Sequence, residues 1–498
     1  MNRLPERVLA AFPEAYLVGG ALRDAARGGT FRDLDLAVPP SADFEARVAR
    51  LAKSLDAAAF PLDEETRVWR LTARKAPPFQ LDIAPFQGGT LKADLLRRDF
   101  TLNALALRLG PAERLARDPR SGDFSLALDR KRVIDLCGGL PDAAAGRLRP
   151  VSAGVFREDP LRLLRAFRIA ACLGLKLRPP LLAAIRKHAP LIKRSAPERV
   201  REELLRLLAA PGSAAWLALL RKAGLLFEIF PELAAQEKCA VEYYGKGGVF
   251  KHTLLVVERV ETLFSRFPEF IPEHALAAKH ADLSRPELYK FAALLHDIAK
   301  PPKAGVVNGR LRFFGHEEYG AVMAEKVMER LRFSRADIRL VAAVIGSHLR
   351  PGNLAANEAV SDRAMFRFFR TMGENTVPLL LLCWADHASY ISAARLEKER
   401  RNLSKAPAPL AGKKLAYNSP VKTVRFMQTL HLLLRTYLTR DPNRDSTRLV
   451  DGNDVKKLLK IKEGPKVGEI LERVRLLQFE GRLKDRAAAL KALRGMGA

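Results

Sequence analysis

Two hydrophobic rhythms divide the chain. Up to about residue 140, short apolar runs alternate with polar stretches. Tyr16-Leu17-Val18, Leu34-Asp35-Leu36-Ala37-Val38, Arg67-Val68-Trp69-Arg70-Leu71 and Phe79-Gln80-Leu81-Asp82-Ile83 read as strands, and 42–55 as a helix. From residue 150 onward the apolar positions recur at helical spacing: Leu161, Leu164, Phe167 and Ile169, then Leu181, Leu182 and Ile185, then Leu204, Leu207 and Leu208. The remainder is therefore expected to be almost wholly helical. Gly245-Lys246-Gly247-Gly248 and Ser404-Lys405-Ala406-Pro407-Ala408-Pro409 mark joints. The expected fold class is α+β, a small mixed-sheet head followed by a mostly α-helical body. No tandem repeat or long low-complexity tract is present.

Composition narrows this picture. The 498 residues are 48% hydrophobic and 7% aromatic, too apolar for wholesale disorder, and at ~150 residues per domain they make roughly three domains. No run approaches the ~18 apolar residues of a membrane span, and Met1-Asn2-Arg3-Leu4-Pro5-Glu6 leads into no signal-peptide core. The expectation is a cytoplasmic protein with no membrane partner. Cys137, Cys172, Cys239 and Cys383 lack CxxC spacing, which points to reduced thiols.

Charge adds a partner class. The chain carries 85 basic and 56 acidic side chains, a formal net charge of +29. The surplus is uneven, with +8 in residues 151–200 and +13 in 401–498. A polyphosphate answers such a pattern, because each Lys or Arg against a phosphate releases counterions. Charge alone leaves DNA, RNA, anionic lipid and ordinary solvated helix faces open.

Candidate chemistry begins at Leu17-Val18-Gly19-Gly20-Ala21-Leu22-Arg23-Asp24, which reads as a strand, a two-glycine turn and a helix start that frees backbone N–H groups for a phosphate. The next strand offers Asp33-Leu34-Asp35, whose carboxylates share one face about 6.5–7 Å apart at Cα. Such a pair repels itself and calls for a divalent cation, and magnesium prefers carboxylate plus phosphate oxygens. Two ions held there serve phosphoryl transfer. An isolated Asp-x-Asp is usually a turn or surface feature; the glycine turn just before it makes the pair far more specific.

Together these segments resemble the class II nucleotidyltransferases, the CCA-adding tRNA enzymes and their poly(A) polymerase relatives. Arg97-Arg98-Asp99-Phe100-Thr101-Leu102-Asn103-Ala104 resembles the family's sugar- and phosphate-contacting motif. Glu158-Asp159-Pro160-Leu161-Arg162, continuing to Arg165, resembles its base-reading motif, and Glu198-Arg199-Val200-x-x-Glu203-Leu204 the helix that braces it. The match covers about the first 230 residues. It implies metal-holding roles for Asp33 and Asp35, and nucleotide-binding roles for Gly19, Gly20, Arg23, Asp24, Arg97, Arg98, Asp99, Asn103, Asp159, Arg162 and Arg165. At helical spacing Asp159 and Arg162 share a face. There they can present one acceptor and several donors to the exocyclic amine and ring acceptor common to cytosine and adenine. An ordinary intrahelical ion pair is the bland alternative.

A second cluster lies downstream. His252, Leu294-Leu295-His296-Asp297-Ile298-Ala299-Lys300 and Asp386 could converge on a divalent metal, whereas His188, His274, His280, His387 and His431 read as ordinary histidines. The set resembles the HD metal-dependent phosphohydrolase superfamily, in which His316 and His348 would hold a second metal. This implies a divalent transition metal and hydrolysis of 2′-phosphate or 2′,3′-cyclic phosphate ends. The 22 basic and 9 acidic side chains of 401–498, with amphipathic helices over 451–459 and 466–479 bearing Lys456, Lys457, Lys460, Arg473 and Arg475, resemble the tRNA-holding tail of the same family.

The expected organisation is a nucleotidyltransferase head (1–140), a helical neck with the base-reading motif (141–240), an HD domain (241–400) and a basic tail (401–498). The expected activity is addition of CMP and AMP from CTP and ATP to the 3′ end of tRNA, with magnesium at the head. Rival readings are a poly(A) polymerase, a CC-only or A-only enzyme, and a phosphohydrolase whose head merely binds RNA. The family's flexible loop for the final A belongs between Asp35 and Arg97, where its usual sequence is not recognisable.

Overall fold

The computed structural model describes residues 4–73, 79–110, 113–118, 120–356, 359–407, 419–439 and 448–496. It divides into two compact units, Met1–Glu203 with Leu219–Ile229, and Leu204–Ala218 with Phe230–Ala498.

The first unit is built on β1 (Tyr16–Val18), β2 (Asp33–Val38), β3 (Ala57–Asp63), β4 (Val68–Ala73), β5 (Gln80–Pro85) and β6 (Leu105–Arg108), followed by a small hairpin β7 (Leu115–Arg117) and β8 (Phe124–Leu126), and β9 (Val133–Asp135). Seven of these form one mixed sheet in the order β3-β4-β5-β2-β1-β6-β9, with β2 and β5 parallel. The period of two in β2 sorts its side chains between the two faces. Leu34, Leu36 and Val38 point into the main core with Leu17, Leu71, Leu81 and Ile83. Asp33, Asp35 and Ala37 therefore face the other way. On that side a small cluster, Tyr16, Val18, Ala37, Phe86, Leu95 and Ala106, covers the sheet, and its Val18 lies opposite Asp35. The polar positions of β2 thus lie on the face opposite the main core, with Asp33 exposed and Asp35 half-buried.

Four expected strands and the helix expected over 42–55 (Phe44–Leu55) are present with small shifts in their ends. β3, β6 and β9 carry too little alternation to stand out in the sequence.

The second unit is helical, with one departure from expectation: a two-stranded hairpin, β10 (Gly305–Val307) and β11 (Arg310–Arg312), interrupts the helices. Its signal is local, since Asn308-Gly309 takes φ of 51° and 68°, the geometry of a tight two-residue turn. The helix Gly248–Ser265 packs against Pro286–Leu295 and Thr376–Ala388. The Gly245–Gly248 segment is a close-packed turn within this unit rather than a joint between the two. A Cβ on Gly248 would stand 2.3 Å from the Cys239 carbonyl oxygen, so the helix carrying His252 can start only from glycine. Residues 408 and 409 of the other expected joint lie outside the described residues. Helices Gly452–Leu459 and Pro465–Phe479 lie where the amphipathic pattern predicts them, around a core including Val455, Val467, Val474 and Leu493. All four cysteines are free, and among the described residues no helix is long and apolar enough to cross a membrane.

Candidate active sites

The first site lies on the open face of the sheet. Asp33 and Asp35 occupy β2, and the parallel register sets Asp35 opposite Asp82 of β5. Asp82, whose role the sequence does not announce, is held in a fork by Arg70 of β4 at 2.7 and 2.8 Å. Burial, then the Asp82 carboxylate, push the Asp35 carboxyl up to about 6, against the pull of Arg98. A carboxylate kept in ionic form against that tendency is suited to a cation, so the donor set fits a divalent metal.

The glycine turn abuts this cluster. Gly19 has φ of 73°, and a Cβ there would lie 2.8 Å from Asp35 Oδ2 and 3.2 Å from Arg98 Nη1. Only glycine lets the backbone pass between the carboxylate and the guanidinium. The Gly20 N–H donates to Asp35.

Arg23 donates to both Asp24 oxygens at 2.8 and 2.9 Å and to Asn103 Oδ1 at 2.9 Å. Asn103 passes the contact to Asp99 at 2.9 Å, Asp99 accepts from Arg165 at 2.8 Å, and Arg165 reaches Glu203 at 3.2 Å. Glu203 also accepts from Arg168 at 2.9 Å. Burial raises the Asp99 carboxyl, but Arg165 and Asn103 outweigh it and hold the group below the usual range. Arg98 donates to Asp94, and Arg97 to Gln87.

The expectation that Asp159 and Arg162 lie on one helix needs correction. Pro160 disfavours helical backbone at the residue before it, so Asp159 is extended (φ −139°, ψ 100°) after the short helix Val155–Glu158. Arg162 opens the next helix, Arg162–Leu173. It pairs with Glu158 at 3.0 Å and donates to the Arg97 carbonyl at 2.6 Å, while Asp159 accepts from Arg199 at 2.9 Å. Both still line one cavity of about 460 Å³ with Ala93, Leu96, Arg97, Ser152 and Glu158.

The second site is built from helix ends. His252 comes from the helix Gly248–Ser265, and His296 and Asp297 follow Pro286–Leu295. His316 opens His316–Arg330, His348 follows Arg335–Ser347, and Asp386 lies in Thr376–Ala388. His252, His296 and Asp297 bring one ligand atom each within 4.8 Å of one another, and so do Asp297, His316 and His348. His252 Nε2 lies 3.1 Å from Asp386 Oδ1. The Nδ1 atoms of His296, His316 and His348 meet the carbonyls of Ala293, Phe313 and Ile345 at 2.7–2.8 Å, and His252 Nδ1 meets Ser389 Oγ at 3.2 Å. Every ring is thereby oriented with Nε2 inward.

Those inward atoms have no hydrogen-bond partner: Nε2 of His252, His296 and His316, with Oδ1 of Asp297 and Asp386, are buried and unsatisfied. Each orphan costs about 1–3 kcal/mol, and their grouping into two triads that share Asp297 fits a divalent cation or two. Lys300 donates to Asp297 Oδ2 at 2.6 Å and to the Tyr244 hydroxyl at 2.9 Å. Burial raises the Asp297 carboxyl, but His296 and Lys300 overcome it and hold the group well below its usual range. Burial pushes His348 down to about 4, leaving a neutral imidazole free to ligate. Tyr244 and Tyr390 stack against His252, their ring centroids 4.9 and 5.1 Å away. Neither tyrosine, nor Lys300, carries a signal in the sequence beyond proximity to a ligand.

Comparison with known proteins gives the same two regions. Residues 15–149 match the family described as "Poly A polymerase head domain", 174–237 "Probable RNA and SrmB- binding site of polymerase A", and 249–391 "HD domain". The chain is 33% identical to the A-adding tRNA nucleotidyltransferase of Deinococcus radiodurans over 92% of its own length and 90% of that protein's. It is 30% identical to the CC-adding tRNA nucleotidyltransferase of Thermus thermophilus over 96% and 92%. To the multifunctional CCA protein of Nitrosococcus oceani it is 31% identical over 68% and 78%. Its fold is similar to that of the Bacillus stearothermophilus CCA-adding enzyme solved with CTP, with a TM-score of 0.57 at 20% identity over 100% and 99% of the two chains. The head and HD regions both imply use of divalent metal.

Proposed function

The chain belongs to the CCA-adding tRNA nucleotidyltransferase family, and on that premise we propose that it extends the 3′ end of tRNA with CMP and AMP drawn from CTP and ATP. The observation that carries the reading is the alignment of Asp33, Asp35 and Asp82 on one open sheet face beside the Gly19-Gly20 turn. Magnesium held by Asp33 and Asp35, with Asp82 alongside, would supply charge stabilisation to attacking and leaving oxygens.

This chain's own groups do the rest. The Gly19 backbone N–H and the Arg98 guanidinium would offer donors to a triphosphate, while the Gly20 N–H is spent on Asp35. Arg23 and Asn103 lock the Asp99 loop through the chain of hydrogen bonds that ends on Glu203. Asp159 and Arg162, with Arg97, offer an acceptor and donors from the wall of the 460 Å³ cavity to the base edge. In the reaction the tRNA 3′ oxygen bonds to the α-phosphorus, the α–β bridging bond breaks and pyrophosphate leaves. The hydroxyl proton passes to solvent. The segment 401–498 would hold tRNA through phosphates, in the cytoplasm.

The HD centre is proposed as a phosphohydrolase acting on 2′-phosphate or 2′,3′-cyclic phosphate ends. His252, His296, Asp297 and Asp386 would hold one divalent transition metal and His316 and His348, with Asp297 shared, a second. Such ions supply an activated water when bound. Hydrolysis adds that water's oxygen to phosphorus, breaks one ester bond and returns a proton to the leaving ribose oxygen.

A second reading, addition of CC alone or A alone, is favoured by two observations. Relatives matching over more than nine-tenths of this chain include two CC-adding enzymes and an A-adding one. Among the described residues no connection between Asp35 and Arg97 exceeds five residues; residues 74–78 lie outside them. Transcripts ending before the first C, after CC or after CCA, given CTP or ATP singly and together, separate the readings by product length. Three added nucleotides support complete addition, and arrest at CC or growth only from CC supports the partial enzyme. Growth into a long A tract would overturn both.

A further inference from the structure

Between the metal-site residues Asp297 and His316 the chain makes a feature the core does not require. β10 and β11 pair as Gly305↔Arg312, Val306↔Leu311 and Val307↔Arg310. Five of these six residues are exposed and only Leu311 is half-buried. An isolated two-stranded hairpin is marginal in water, so one that leaves Val306 74% and Phe314 71% exposed is not explained by local stability. The register puts Val307, Arg310 and Arg312 on one face. The two arginines are one strand step apart, about 6.5–7 Å at Cα.

Phe313 turns inward: Lys300 Nζ lies 5.7 Å from its ring centroid and the His316 ring 6.3 Å away. Phe314 turns outward. Tyr319, also exposed, carries Lys303 Nζ 4.9 Å over its ring. Exposed aromatics interleaved with cations, attached at Phe313 to a ligand of the metal centre, form the pattern that grips unpaired nucleic acid through base faces and phosphates.

We propose that this hairpin, with Phe314 and Tyr319, is the docking platform for the unpaired 3′ end of an RNA delivered to the HD centre. Arg310 and Arg312 pair with consecutive phosphates, and Phe314 stacks on the last base so that its terminal phosphate enters beside Lys300. The assignment rests on the phosphohydrolase reading of that centre and adds the substrate class, a single-stranded RNA end.

The test uses the full-length protein and a short single-stranded RNA ending in a 2′,3′-cyclic phosphate, with 4-thiouridine as its last base. On irradiation, wild type forms a cross-link within 305–319, and the cross-link survives His296→Ala. Phe314→Ala abolishes it and raises KM for hydrolysis about tenfold, the effect of one lost stack, while Phe314→Trp restores both. Arg310→Ala with Arg312→Ala weakens capture in a salt-dependent way. A wild-type cross-link outside 305–319, or an unchanged one in Phe314→Ala, overturns the platform whatever the hydrolysis does. If Phe314→Ala instead changes only the molar mass in light scattering, the patch is a self-association face and the proposal falls. A cross-link at the platform with no hydrolysis by wild type leaves the platform standing and refutes the phosphohydrolase reading.

Discussion

The head and the HD centre are both suited to divalent metal, yet they are constructed in opposite ways. In the head, strand carboxylates stand on a half-covered face, and burial beside Asp82 drives the Asp35 carboxyl upward. In the HD centre, helix-end histidines surround Asp297 in a buried core, and neighbouring cations drive that carboxyl downward. The contrast separates a site that strains to stay charged until a cation arrives with its substrate from one preassembled around a resident ion. Pre-orientation marks the second: four histidines have their outer nitrogens occupied so that their inner ones point at the carboxylates of Asp297 and Asp386.

The largest effect expected from this contrast is a clean exchange of losses. Asp33→Ala with Asp35→Ala should lower nucleotide incorporation at least about a thousandfold, ~4 kcal/mol of barrier, and leave cyclic-phosphate hydrolysis standing. His296→Ala should do the reverse, as read on one preparation by gels that resolve extended tRNA and, separately, the opened phosphomonoester end from the cyclic one. A shared loss would mean that the two sites are coupled.

Next comes Arg165→Ala, which takes the paired cation from the buried carboxylate of Asp99 and leaves Glu203 with Arg168 alone. It should cost about 3 kcal/mol of stability by denaturant titration. Arg165→Lys should recover only part, since one ammonium cannot span both partners.

Asp35→Asn sharpens the charge argument through its sign. The folded carboxyl, near 6, lies above the ordinary 3.8, so below pH 4 both folded and unfolded forms are protonated and the group is neutral to stability. As pH rises from 4 to 6 the unfolded form loses its proton first, and stability falls. In metal-free protein at pH 7.5 the amide variant should therefore be more stable by about 3 kcal/mol, with the gain vanishing near pH 4. Magnesium should narrow the gap.

The smallest effect is on the other site. Ser389→Ala, which removes the partner of His252 Nδ1, should weaken metal retention about tenfold, measured by competition with a chelator.

Much of this architecture is legible in the sequence because it is local. Asp33-x-Asp35 declares itself through strand alternation, and His296-Asp297 through adjacency. The hidden part depends on pairing across distance. Asp82 becomes a neighbour of Asp35 only through the parallel register of β2 and β5, which a crossover of over forty residues establishes. The partners of Arg23 illustrate the same point, because the local sequence offers its guanidinium to a phosphate and the fold gives it Asp24 and Asn103. A helix running through Asp159 fails for a reason that is local after all, since Pro160 ends it at the preceding residue.

One carboxylate group belongs to both ligand triads of the HD centre. Two cations sharing Asp297 would repel, so the second would be taken up more weakly than the first and lost sooner. Occupancy would then track supply in two steps, leaving the centre half-filled when metal is scarce and complete only when it is plentiful.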